Sequence, residues 1–214
     1  MWKFTLYISL FLVDYSASLK LCVIGSGSGL GKELVYQGVN NYDSEIIALS
    51  SSKKQTVIPC RTNSFNEIKN NKLFNHPNII TGSYWEDLHN LEYDHLILTT
   101  SAKPFENDYS DSLTTKIIED IPFKCKSISL VSAYGVGNSI KKSNAGIAIM
   151  NAWYLKDVYR AKNAQEKILN KFTESNNVKL KIYRPTALSY GETLLDSISR
   201  KNLANEILSD IHNQ

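Results

Sequence analysis

The chain has 214 residues, 43% of them hydrophobic and 21% charged, with a formal net charge of +3 at pH 7. This length and composition predict one globular α/β domain with a sizeable core, and the small net charge predicts no nucleic-acid partner. Three cysteines cannot all pair and, like the four isolated histidines, lack metal-ligand spacing, so we predict structural cysteines, a reducing compartment and no metal site.

Residues 1–18 form an N-terminal extension with the layout of a signal or targeting peptide. Lys3 precedes an apolar stretch from Phe4 to Val13, and small residues follow at positions 16–18. This stretch is too short to span a bilayer as a helix, so we predict no membrane span. An extra strand, a helix or an upstream start codon would also explain these residues.

Short apolar runs rich in isoleucine, valine and leucine recur along the rest of the chain and predict buried β-strands. These runs are residues 20–24, 45–49, 78–80, 95–100, 127–132 and 178–183. Longer stretches with helical spacing lie between most of them. Strand followed by helix, repeated without a linker or an internal repeat, predicts a single α/β domain: a doubly wound parallel sheet with helices on both faces.

The sequence GSGSGLGKE, residues 25–33, follows the first predicted strand and fails two phosphate-loop templates. A Walker loop would need glycine at Ser26 and a hydroxyl at Glu33. The dinucleotide template G-x-G-x-x-G would need glycine at Leu30 in one register and at Lys32 in the other. Neither template therefore describes this loop.

Gly25, Gly29 and Gly31 meet a third spacing, G-x-x-x-G-x-G, in full. It resembles the cofactor loop of the short-chain dehydrogenase/reductase family, although Ile24 stands where that family commonly has threonine. Such glycines permit a tight turn, and the helix that begins after them offers free N–H groups to a pyrophosphate. A glycine-rich turn without a ligand is the alternative. The cofactor-binding residues predicted in the loop are Gly25, Ser26, Gly27, Ser28, Gly29, Leu30 and Gly31.

The end of the second predicted strand bears on the choice of cofactor. An NAD site usually has Asp or Glu there, about 20 residues after the loop, but Glu45 lies at the opposite end of this strand. The strand is instead followed by hydroxyls and cations, Ser50, Ser51, Ser52, Lys53 and Lys54. These groups suit a 2′-phosphate, so we predict NADP(H) over NAD(H), with a solvated polar turn as the alternative.

The last third of the chain carries a second resemblance to the same family. SISLVSAYGVG (127–137) and the segment 154–188, which contains an Arg-Pro pair, look like the family's fifth strand, long helix and sixth strand. ISRKNLANEILSDI (198–211) looks like the terminal helix of the atypical branch, which includes NmrA-like and flavin-reductase-like proteins. Together with the glycine loop, the resemblance covers residues 20–211 and implies a Rossmann-like fold.

The tyrosine-dependent branch of this family has a serine at the end of the fifth strand and Tyr-x-x-x-Lys on the next helix. Ser132 and Lys162 fit the serine and the lysine, but Val158 occupies the tyrosine position. Tyr159 is displaced by about 100° around the helix, so Tyr134 is the better substitute as proton donor. The resemblance thus implies catalytic roles for Ser132, Tyr134 and Lys162.

Further cofactor contacts are implied at three places, and Lys162 is one of them. An exposed ion pair with Glu166, one helical turn away, is the alternative role for this lysine. The other implied contacts are Thr99, Thr100 and Ser101, where the family often has Asn-Ala-Gly, and Arg184 with Pro185 after the sixth strand.

The resemblance implies an NADP(H)-binding oxidoreductase of the atypical short-chain type that acts on an unidentified small molecule. A non-catalytic NADP-binding redox sensor, or an assembly or regulatory factor with a protein partner, is the alternative. An epimerase, dehydratase or isomerase is less favoured because only about 30 residues follow Arg184, too few for a substrate subdomain. The nucleotide-binding domain is predicted over residues 19–214. Because nucleotide pools are intracellular, a cytoplasmic location is favoured over export.

Overall fold

A computed structural model of the chain describes residues 18–51, 75–100, 109–121, 125–137, 139, 155–189 and 197–214. Residues 1–17 of the predicted extension lie outside these ranges, as do Ser52, Lys53, Lys54 and Ser101. No helix within the described ranges is long and apolar enough to cross a membrane.

The central feature is a six-stranded parallel sheet. Its strands are β1 (Lys20–Ile24), β2 (Glu45–Ser50), β3 (Ile79–Ser83), β4 (His95–Leu98), β5 (Ser127–Val131) and β6 (Lys179–Tyr183). They lie in the order β3-β2-β1-β4-β5-β6, and every neighbouring pair is parallel. This order is that of the Rossmann fold, so the predicted doubly wound α/β architecture is confirmed.

Helices cover both faces of the sheet. They are α1 (Gly29–Tyr42), α2 (Tyr109–Glu119), α3 (Lys156–Asn176) and α4 (Arg200–His212), with a short 3-10 turn at Leu88–Asn90. α1 packs against α4, and α2 packs against α3. A small parallel pair, β7 (Leu188–Ser189) with β8 (Ile198–Ser199), precedes α4 and is separate from the main sheet.

The side chains of β1 are buried on both faces of the sheet, which explains its continuous apolar sequence. Leu21 and Val23 point into the core on the α1 and α4 side of the sheet. Cys22 and Ile24 point into the core on the α2 and α3 side. All four side chains are fully buried, because a strand in the middle of a doubly covered sheet has no solvent face. Burying each large aliphatic side chain contributes about 1.5–3 kcal/mol.

The strand order reverses between β1 and β4, and this point positions the site. β1 pairs with β2 on one side and with β4 on the other. Because the chain leaves β1 and β4 toward opposite sides of the sheet, a crevice opens between their carboxyl ends. Gly25 follows β1 and Thr99 follows β4, so both lie at this crevice.

Candidate functional site

The glycine loop forms a tight turn at the crevice. Gly25 has a positive φ of 92°, and a Cβ atom there would lie 2.5 Å from the hydroxyl oxygen of Thr99. A Cβ atom at Gly31 would overlap the carbonyl oxygen of Gly25. The N–H groups of Gly25 and Ser26 both donate to the carbonyl of Leu49, at 2.9 and 3.0 Å. Glycine at positions 25 and 31 is therefore a steric requirement of the turn.

The first turn of α1 has donors directed at the crevice. Ser28 caps the helix: its hydroxyl accepts from the N–H of Gly31 at 2.9 Å, and its carbonyl accepts from the N–H of Lys32. The N–H groups of Gly29 and Leu30 donate to no other described residue. No acidic residue lies in this first turn. Free amides and the positive end of the helix dipole together suit an anion.

The end of β2 lies beside this loop. A Cβ atom at Gly27 would be 3.9 Å from the Cβ of Ser50, the last residue of β2, so the loop passes over the strand end. Ser50 is buried, and Ser51 is exposed. Glu45 is the first residue of β2, where it forms an ion pair of 3.4 Å with Lys20. Its carboxylate therefore lies at the amino end of β2, away from the crevice at the carboxyl ends of the strands, as the sequence predicts.

Lys162 lies inside the protein, with an exposed fraction of 4%. Its ammonium donates to the carbonyl oxygen of Thr100, after β4, at 2.5 Å and to that of Val131, at the end of β5, at 2.7 Å. Burial lowers the pKa of Lys162 to about 7, and nearby Glu166 opposes that shift. The alternative of an exposed surface pair with Glu166 is therefore wrong, because Lys162 connects the carboxyl ends of two strands.

Arg184 and Glu166 form an ion pair next to this lysine. The Nε and Nη2 groups of Arg184 donate to the two carboxylate oxygens of Glu166, at 3.0 and 2.7 Å. The Glu166 side chain is 5% exposed and that of Arg184 is 27% exposed. Gly137 lies against the pair with a positive φ of 56°, and a Cβ atom there would be 2.5 Å from Glu166. The pair thus occupies two donor groups of Arg184, which was predicted as a cofactor contact.

Two buried hydroxyls in this region have no hydrogen-bond partner among the described residues. They belong to Thr100, which follows β4, and Ser132, which follows β5. A buried polar group without a partner is uncommon in a native protein and often marks a place where a ligand or water belongs. Thr100 carries one of the two carbonyls that Lys162 bridges. Ser132 directly follows Val131, which carries the other.

The tyrosines near α3 have different environments. The hydroxyl of Tyr159 donates to the carbonyl oxygen of Tyr134 at 2.8 Å, and burial raises the pKa of Tyr159. The N–H of Tyr134 in turn donates to the carbonyl of Pro185 at 3.0 Å. Val158, at the tyrosine position of the family motif, is half-buried. Tyr159 thus connects α3 to the segment after β5.

Sequence reasoning missed Glu166 and Gly137 as members of the site. The sequence predicts Glu166 only as an alternative surface partner of Lys162, and Gly137 only as part of the fifth-strand segment 127–137. The signal for Glu166 was its position four residues after Lys162, which places both on one helix face. The sequence signal for burial of this face was weak, because the face combines apolar Ala161 and Leu169 with polar Gln165 and Thr173.

Solved structures share this fold over most of the chain. The oxidoreductase ylbE from Lactococcus lactis is 19% identical, with a TM-score of 0.60 over 91% of this chain and 85% of that one. A short-chain dehydrogenase/reductase from Veillonella parvula in complex with NADP is 12% identical, with a TM-score of 0.60 over 91% and 87%. ChuY, an anaerobillin reductase from Escherichia coli, is 13% identical, with a TM-score of 0.56 over 91% and 90%.

No protein-family model matches the chain, and no curated protein sequence matches it. The structural similarity nevertheless agrees with the fold that the order of the elements predicts. The chain therefore has the Rossmann fold, which it shares with these solved structures.

Proposed function

We propose that the chain is an NADP(H)-dependent oxidoreductase that acts on a small molecule. The observation that carries this proposal is the glycine loop at the switch point of the sheet. Gly25 and Gly31 have no room for a side chain, and the first turn of α1 presents the free amides of Gly29 and Leu30. This arrangement fits a pyrophosphate, and it follows β1 as the Rossmann fold requires.

The preference for NADP over NAD rests on the end of β2. Among the described residues at that end, Ser50 and Ser51 carry hydroxyls. The only carboxylate of β2 belongs to Glu45, at the amino end of the strand and away from the crevice. The sequence continues with Ser52 and Lys53. Hydroxyls and a cation match a 2′-phosphate, whereas a ribose 2′-hydroxyl is usually bound by a carboxylate.

The remaining site residues would place the reacting groups. The dinucleotide would supply hydride when bound. Ser132, with its unpartnered buried hydroxyl, and Tyr134, two residues later, are the side chains proposed to give a proton to the substrate oxygen. Lys162 would act by holding the strand ends that carry Thr100 and Ser132, because its ammonium bridges the carbonyls of Thr100 and Val131.

Binding and turnover measurements test the proposal. NADPH and NADH are titrated into the full chain with nicotinamide fluorescence as the readout, and we expect NADPH to bind more tightly. NADPH oxidation is then followed with a quinone, a flavin and an aldehyde panel. Absence of saturable binding of either dinucleotide at millimolar concentration would overturn the proposal.

A non-catalytic NADP-binding regulator is a second candidate, and the region around α3 favours it. Val158 replaces the usual acid, and the hydroxyl of Tyr159 is engaged by the carbonyl of Tyr134. Tight NADPH binding without turnover on any member of the panel would support this class. Turnover that is lost in Ser132→Ala and Tyr134→Phe variants with unchanged NADPH affinity would exclude it.

A further inference from the structure

Thr99 lies at the centre of the crevice and contacts the glycine loop at several points. Its hydroxyl oxygen is 3.0 Å from the carbonyl oxygen of Ile24 and 3.2 Å from that of Gly25. It is also 3.4 Å from the hydroxyl oxygen of Ser28, the residue that caps α1. Its backbone N–H donates to Ile24 as well, at 3.0 Å. Thr99, which directly follows β4, therefore holds the glycine loop about 75 positions earlier in the chain.

The direction of these hydrogen bonds follows from the groups involved. Carbonyl oxygens only accept, so the hydroxyl hydrogen of Thr99 is donated to Ile24 or Gly25. The hydroxyl of Ser28 accepts from the N–H of Gly31 and has its own hydrogen left to donate to Thr99. The result is a chain of donors from the Gly31 amide through Ser28 and Thr99 to the carbonyls at the end of β1.

The tight fit at Gly25 is part of the same arrangement. A Cβ atom at Gly25 would lie 2.5 Å from the Thr99 hydroxyl, so this hydroxyl occupies the space that a side chain would take. Thr99 itself is 9% exposed, so little of it faces the crevice. A residue buried in this way is suited to hold the loop and poorly suited to contact a ligand directly.

We propose that Thr99 is a positioning residue for the dinucleotide: it fixes the Ser28 cap so that the α1 amides point at the pyrophosphate before the ligand arrives. This inference rests on the proposed function and changes the predicted role of Thr99 from cofactor contact to support of the loop. Pre-ordering of this kind raises affinity by removing the entropic cost of ordering the loop on binding.

The test compares three variants in the full chain. Thr99→Val removes the hydroxyl and keeps the shape, and Thr99→Ser keeps the hydroxyl. Thr114→Val is the matched control, because Thr114 is a fully buried threonine on α2 whose hydroxyl accepts from Gln165 at 3.0 Å, away from the loop. Thr99→Ala is the second hydroxyl-deleting variant if Thr99→Val does not fold.

Two readouts separate positioning from a general loss of stability. Losing this hydrogen-bond chain should weaken NADPH binding about tenfold in Thr99→Val, whereas Thr99→Ser and Thr114→Val should stay within about twofold of wild type. Binding of adenosine 2′-phosphate, which has no pyrophosphate, should not change in Thr99→Val. Exchange of the Gly31 amide hydrogen, measured without ligand, should become faster in Thr99→Val only.

A double variant tests the route through Ser28. If Thr99 acts by holding this cap, Thr99→Val should have less than about a twofold effect on NADPH affinity in a Ser28→Ala background. Unchanged Gly31 exchange in Thr99→Val, or equal loss of NADPH affinity in Thr114→Val, would overturn the inference while leaving the proposed function intact. Failure of the wild-type chain to bind NADPH or NADH would instead overturn the proposed function, and the exchange measurement would still decide the role of Thr99 in the loop.

Discussion

Replacing Lys162 is expected to change how the stability of the protein depends on pH. Burial lowers the pKa of its ammonium from the ordinary 10.5 to about 7, and Glu166 opposes that effect. Between these two values the unfolded chain holds a proton that the folded chain tends to release. The unfolded state therefore binds more protons, and the contribution of Lys162 to stability rises as the pH increases through this interval.

The size of the effect follows from the pKa values. The free-energy cost of keeping the buried ammonium charged is on the order of 5 kcal/mol. Wild type should regain about 2 kcal/mol of it between about pH 7 and pH 9. Lys162→Met has a side chain of similar length without the charge, so it lacks this gain. It also leaves the carbonyls of Thr100 and Val131 without their donor, which costs about 1–3 kcal/mol at every pH.

The assay is urea denaturation of wild type and Lys162→Met at about pH 7, 8 and 9, with Lys167→Met as the control. Lys167 is exposed on the same helix. The free energy of unfolding of wild type minus that of Lys162→Met should rise by about 2 kcal/mol from pH 7 to pH 9, while Lys167→Met runs parallel to wild type. Parallel curves for wild type and Lys162→Met would refute the reasoning.

Three further outcomes follow from the contacts. Arg184→Met removes the partner of the buried Glu166 carboxylate, so the free energy of unfolding should fall by about 3 kcal/mol. Urea denaturation that shows no fall in this free energy would contradict the prediction. Gly31→Ala should lower the melting temperature sharply and Gly27→Ala should not, since only the first Cβ overlaps the backbone; equal melting temperatures would exclude the described turn. Burial lowers the pKa of His95 below its ordinary 6.5, so the free energy of unfolding should fall as the pH decreases through about 6.5. Denaturation at several pH values should show a smaller fall in His95→Gln. The same pH profile in wild type and His95→Gln would contradict this role of His95.

Local signals were sufficient to predict the glycine loop and the sheet. The spacing of Gly25, Gly29 and Gly31 is a property of seven consecutive residues, and its steric reason at positions 25 and 31 is the one expected. Strand bounds were less accurate where pairing overrides composition. The third run was predicted at 78–80, whereas β3 extends over Ile79–Ser83, because Thr81, Gly82 and Ser83 pair with the last residues of β2 despite carrying no apolar signal.

The contacts that organise the site could not be predicted from local sequence, because they join distant segments. Lys162 reaches backbone carbonyls 62 and 31 positions away, and a carbonyl carries no side-chain signal of its partner. The hydroxyl of Thr99 reaches a loop 74 and 75 positions earlier for the same reason. The sequence left an exposed Lys162–Glu166 pair open as an alternative, and only the packing of α3 against α2 and the sheet shows that both residues are buried.

The most direct test of the account follows the backbone amides of Gly29 and Leu30 by NMR while NADPH is added to the full chain. These N–H groups donate to no other described residue and lie where a pyrophosphate is proposed to bind. The account predicts saturable shifts of both amide signals and slower exchange of their hydrogens at saturation. Saturable NADPH binding that leaves both amides unchanged, or no binding at millimolar NADPH, would contradict it.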